Sequence, residues 1–206
     1  MSQAGKTEKT AKFSTLNLAI TAMMAALTIL LMTTPLGTIS LPFVSITIAH
    51  VPAILTAIVF GWRQGLAVAF VLGATSLLSA IAAPATVLDP FFVNPLISVL
   101  PRLLIPITAY SSYKALEKAL RKRKMGRSLA VATAAAVGNL TNTFGVYTML
   151  YLLYARQILE KTGQDALQYI LAAISTTTLI KCVGIVIISL PIVLALDKVK
   201  NKRHTR

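Results

Sequence analysis

The sequence predicts an all-α membrane protein: a single integral membrane domain over residues 1–206, folded as a compact bundle of six transmembrane helices with both termini cytoplasmic. Three observations carry this reading. Apolar residues make up 56% of the chain and charged residues 13%, with a mean hydropathy of +0.75, far from the balance of a soluble domain. The apolar residues fall into six stretches, most of them near the ~20 residues that cross the hydrocarbon of a bilayer. Finally, apart from Arg102, Lys181, Arg156 and Lys161, every Lys and Arg lies in segments that six crossings put on one side.

Span one, Thr15–Thr33, follows a short basic tail (1–13) with Lys6, Lys9 and Lys12. It is too long for a signal peptide and lacks a small-residue cleavage pattern, so it reads as a retained helix. Ala19, Ala22 and Ala26 recur at i, i+3 and i+7 on one face. Small residues let helix backbones approach closely in lipid, where packing drives association. Ala69-x-x-x-Gly73 and Ala134-x-x-x-Gly138 repeat the form, so each of the three pairs either docks a partner or packs the chain's own helices. In the next segment, 35–49, Ile39, Leu41, Phe43, Ile46 and Ile48 alternate loosely with small or polar residues, among Pro35, Gly37 and Pro42. That pattern predicts an extended or hairpin-like outer loop, either a gate over a pocket or a re-entrant piece buried against the helices.

Span two, His50–Phe60, is short and must be tilted, shielded by protein or extended upstream. Arg63 separates it from span three, Leu66–Ala82. Span four, Pro95–Leu116, is the most irregular. Asn94-Pro95 reads as an N-cap and first-turn proline. Pro101 removes a bond to the Ile97 carbonyl, and Pro106 frees the carbonyl of Arg102. Arg102 lies seven residues past Pro95, roughly 10 Å in at 1.5 Å per residue. After the basic loop with Arg121–Lys124, span five, Leu129–Tyr154, places Asn139, Thr141, Asn142 and Thr143 near its centre and Tyr147 a turn further out. Span six, Ile170–Leu196, holds Lys181 roughly 16 Å in, and a basic tail (197–206) follows.

The strong net charge of +14 is therefore a topology signal, and the basic loop reads as contact with anionic lipid rather than nucleic acid. Two cations at membrane depth are expensive, roughly 2.5–3.5 kcal/mol each on the lenient scale, and by default mark a binding site or pathway. No carboxylate shares their spans, so an anionic ligand supplies the counter-ion, with Asn139 and Asn142, at i and i+3, on the same cavity. The alternative is that Arg102 pairs with Asp89 and the asparagines pin helices together.

Enzymatic patterns are missing. The only histidines are His50 and His204; Ser76 and Ser79 have no G-x-S-x-G context, and Asp89 has no intramembrane partner. No Walker A loop exists, so ATP hydrolysis must come from elsewhere. Cys182 is the sole cysteine, which excludes an internal disulfide and leaves no metal site in view. No cofactor is expected. A self-sufficient secondary carrier or channel for a small organic anion remains a rival of another class.

The stretch Ser45–Gly65, SITIAHVPAILTAIVFGWRQG, followed by GATSLLSAI and NPLISVLPRLLI, strongly resembles the substrate-binding S components of energy-coupling factor (ECF) vitamin transporters. The resemblance covers essentially the whole chain. It implies that the Ala22-x-x-x-Ala26 pair, with Ala19, docks on a scaffold membrane subunit, that 35–49 gates the vitamin, and that two cytoplasmic ATPases drive import. It also implies alternating access in which the S component topples within the membrane. Within the family, NPLISVLPR is most similar to the pantothenate branch, with riboflavin, folate, pyridoxine and a thiamine precursor as alternatives. For pantothenate, Arg102 or Lys181 would hold the carboxylate. Asn139, Asn142, His50 and Asn94 would serve the amide and hydroxyls, and Tyr147 would pack the methyls. Trp62, the only tryptophan, falls on the cytoplasmic side, which disfavours a large flat ring.

Overall fold

The hydrophobic stretches become helices, and the computed structural model describes residues 15–35, 37–40, 45–84, 86, 88–120, 126–163 and 165–204. Helix α1 is Thr15–Thr33, α2 Val51–Phe60 and α3 Trp62–Ala82. A 3-10 turn, Asp89–Val93, leads into the single-turn α4, Pro95–Ser98, and then α5, Leu100–Ala119. Helices α6, Gly126–Thr162, and α7, Ala166–His204, complete the bundle. Lys6, Lys9, Lys12, Arg121–Lys124 and the side chain of Cys182 lie outside the described residues.

Among the described residues the strands fall where the period-two alternation does. There β1, Thr38–Ser40, pairs antiparallel with β2, Ser45–Thr47, Ile39 opposite Ile46. The hairpin is tied down at its base: Ile48 N–H donates to the Gly37 carbonyl at 2.9 Å. Loop residues Leu41, Pro42 and Phe43 lie outside the described residues.

Helix α2 is only ten residues long, about 15 Å at 1.5 Å per residue. Every residue from Val51 to Val59 is buried. A helix apolar on all sides belongs inside a protein. Shielding is thus what its short length reflects: α3, α5, α1, α7 and α6 all pack on it.

Two of the three small-residue pairs are internal. Ala69 is fully buried, and a Cβ on Gly73 would lie 2.9 Å from the Val99 Cα, so α3 approaches the α4–α5 junction backbone to backbone. Ala134 is likewise buried, and a Cβ on Gly138 would meet Ile54 at 2.8 Å. Ala19, Ala22 and Ala26, by contrast, are all exposed on α1, flanked by Leu18 and Met23. Beyond them, large exposed hydrophobics such as Phe70, Leu152 and Ile187 populate the outer faces of α3, α6 and α7. Apolar exposure on that scale is what lipid contact demands and what a soluble surface avoids. By length and composition α3 and α6 can each cross a membrane; Asn17–Thr33, Val51–Phe60 and Val183–Val193 are shorter apolar helical segments.

The irregularity of span four lies one step from where its prolines suggest. The helix breaks at Val99, and Pro101 sits in the first turn of α5, where proline is tolerated. Pro106 lies within α5 without ending it. At the far end, the α7 backbone runs on to His204, so residues 197–204 extend the last helix rather than forming a separate tail.

Candidate functional site

Arg102 is buried near the start of α5, and the proline beside it helps to hold it. With Pro101 unable to donate, the Ile97 carbonyl needs another partner. The Arg102 guanidinium supplies it, Nη1 donating to Ile97 O at 2.6 Å. Nη2 donates to the Ser76 hydroxyl of α3 at 3.0 Å, and the Phe92 ring lies 5.2 Å from Cζ. These partners are all neutral, so Arg102 is not paired with Asp89. Asp89 instead accepts the Thr86 N–H and hydroxyl, each at 2.7 Å, which folds the chain ahead of the 3-10 turn.

Arg102 opens onto a cavity of about 190 Å³ beside the hairpin. Its wall includes Lys181 from α7, Asn142, Thr143, Val146, Tyr147 and Leu150 from α6, and Ser76, Ser79, Ala80 and Ala83 from the α3 end. Thr86, Leu88, Asp89 and Phe92 close one side, and Met32 and Thr47 border it from α1 and the hairpin. Arg102, Lys181 and Asp89 leave the lining with one net positive charge. The Asn142 side-chain oxygen is buried and accepts no hydrogen bond. Asn142 thus brings a polar side chain to the wall while its oxygen stays buried behind it.

Of the residues expected from the sequence, Arg102, Lys181, Asn142 and Tyr147 meet at this cavity. Asn139 and His50 do not reach its wall. Both are essentially fully buried, His50 adjoining Asn139 and within electrostatic range of Lys181 and Arg102. Neither His50 ring nitrogen has a well-formed hydrogen bond. Asn94 is committed elsewhere: its Oδ1 accepts the Leu96 N–H at 3.0 Å as the α4 N-cap, and its Nδ2 donates to Tyr154 at 3.2 Å.

Sequence reasoning missed the α3 contribution. Ser76 and Ser79 have no nucleophile context, yet Ser76, Ser79, Ala80 and Ala83 fall at i, i+3, i+4 and i+7, a small, partly hydroxylic helical face that the chain displays openly. Asp89 and Phe92 carried no such signal. Among the described residues no cluster of side chains suits a metal ion.

The chain matches the family model described as "ECF transporter, substrate-specific component" over residues 16–193. It is 31% identical over 171 residues to the pantothenic acid transporter PanT of Lactococcus lactis subsp. cremoris (strain MG1363), covering 75% of this chain and 79% of that protein. A helical bundle with apolar outer faces around a polar cavity accords with that match, and the chain belongs to the substrate-specific components of ECF transporters, integral membrane proteins of vitamin uptake.

Proposed function

We propose that this component captures pantothenate from outside the cell and hands it to an energising module for import. The observation that carries the reading is the charge of the cavity. Two cations and one carboxylate leave a single positive charge, which one ligand carboxylate neutralises. Arg102 would hold that carboxylate with N–H donors not spent on Ile97 and Ser76. Lys181 would add a second charged contact from α7. The Asn142 side chain would meet the ligand's amide or hydroxyls, and Val146, Tyr147 and Leu150 would pack the gem-dimethyl group. Its volume lies below the roughly 300–1,000 Å³ of drug-sized sites, which favours a compact acyclic acid over a flavin or folate. His50 and Asn139 would form a polar layer behind the wall.

Six crossings, with the hairpin outside and both termini in the cytoplasm, complete the reading. The hairpin from 35 to 49 would act as the gate, and toppling within the bilayer would deliver the vitamin inward. The exposed Ala19, Ala22 and Ala26 stripe would dock the scaffold subunit, which joins two ATPase subunits. Of three small-residue pairs it alone faces outward among the described residues, and that supports docking over internal packing.

Titration calorimetry of the purified chain tests the substrate. Pantothenate should bind tightly, and pantothenol, in which a neutral alcohol replaces the carboxylate, at least ~10-fold more weakly, the factor for one charge-assisted bond. Equal affinity for both, or a different vitamin released from the purified protein, would overturn the assignment.

A further inference from the structure

Behind the cavity wall, a small aromatic assembly ties the 3-10 turn to a bend in α6. Tyr154 adopts φ −135°, ψ 17° inside an otherwise helical segment. A sharp kink of this kind has its cause in the contacts around it. Here the contacts are visible. The Tyr154 ring lies 4.8 Å from that of Phe91 at 33° between planes, and its hydroxyl accepts from Asn94 Nδ2 at 3.2 Å. Both partners belong to the turn and its cap, and Phe91 is buried. The next residue, Phe92, is the one whose ring meets Arg102, while its carbonyl accepts from the Ser98 hydroxyl.

We propose that Tyr154 is a positioning residue for the anion site. Through Phe91 and Asn94 it holds the 89–94 turn so that Phe92 presents its ring to the Arg102 guanidinium. The idea rests on Arg102 as the carboxylate anchor. A ring face offsets part of the desolvation of a buried cation without neutralising it, whereas a carboxylate neighbour would compete with the ligand. Tyr154 is not among the residues lining the cavity, and its link to Arg102 runs through Phe91, Asn94 and Phe92.

The test incorporates 4-fluorophenylalanine at position 92 and reads its fluorine resonance with no ligand present, in the parent, Tyr154→Phe and Tyr154→Ala. Affinities for pantothenate and pantothenol are measured on the same three proteins without the label. In Tyr154→Ala the resonance should move toward that of the free amino acid, and in Tyr154→Phe, which keeps the stacked ring, by less. Pantothenate should weaken about 3- to 30-fold in Tyr154→Ala, the range for one cation–π contact, with pantothenol within about twofold. If Tyr154→Ala does not fold, Tyr154→Phe decides through the resonance and the same ligand pair. An unmoved resonance overturns the proposal, as does an equal loss for both ligands. Should the parent bind no pantothenate, the substrate assignment falls while the resonance still decides the Tyr154–Phe92 link.

Discussion

Arg102 illustrates how a residue can be built into place by its neighbours' chemistry. The guanidinium spends one donor on a carbonyl left available by Pro101 and another on Ser76, a side chain 26 positions earlier. Arg102→Ala should weaken pantothenate binding by about 1.5–3 kcal/mol, the range for a hydrogen bond to a charged group. Arg102→Lys should recover part of this, since an ammonium has no planar fork to satisfy Ile97, Ser76 and a ligand together. Ser76→Ala should cost about 0.5–1.5 kcal/mol, through a less well-held guanidinium. Calorimetry with pantothenate and pantothenol checks all three; losses that are equal for both ligands would make Arg102 a structural strut. The chain announced Arg102 and Lys181 because lone charges in apolar runs are costly wherever they fold. It did not announce Ser76 or Phe92, whose roles depend on which helix lies opposite.

At the scale of elements, α1 and α3 carry the same small-residue spacing in opposite surroundings, exposed on α1 and packed within the bundle on α3. Gly73 lies against the Val99 backbone, which cannot swing aside as a long side chain can. Gly73→Ala should therefore destabilise the fold by about 1–3 kcal/mol, as overpacking does, seen as a lower melting temperature in detergent. Ala22→Trp or Ala26→Trp should leave melting and vitamin binding near parental values while abolishing co-purification with the scaffold subunit. Normal co-purification of the Trp variants would remove α1 from the docking surface. Which pairs face inward was not legible, because spacing reports a helix face and not what covers it. Hairpin and N-cap were legible, since alternation and Asn-Pro act locally. The break at Val99 was displaced from the prolines because Pro101 is accommodated as the start of a new helix.

For the whole molecule, the charge distribution is the strongest statement the chain makes. Single cysteines at positions 127 and 156, in a background where Cys182 is replaced by alanine, test it. An impermeant maleimide applied to intact cells should label position 156, and position 127 only after permeabilisation. The reverse pattern would invert the molecule and with it the direction of the cavity. In proteoliposomes the chain alone should accumulate no pantothenate under an ion gradient. Accumulation there would identify a secondary carrier.

The three side chains or carbonyls that hold the Arg102 guanidinium, from Ser76, Phe92 and Ile97, all precede it along the chain. A ribosome delivers them first, and segments generally fold in the order they emerge. The Arg102 guanidinium can thus be seated while α6 and α7 are still unmade. Asn142 and Lys181 arrive last, so synthesis itself stages the cavity, and a chain halted before α6 would carry a finished arginine beside an open wall.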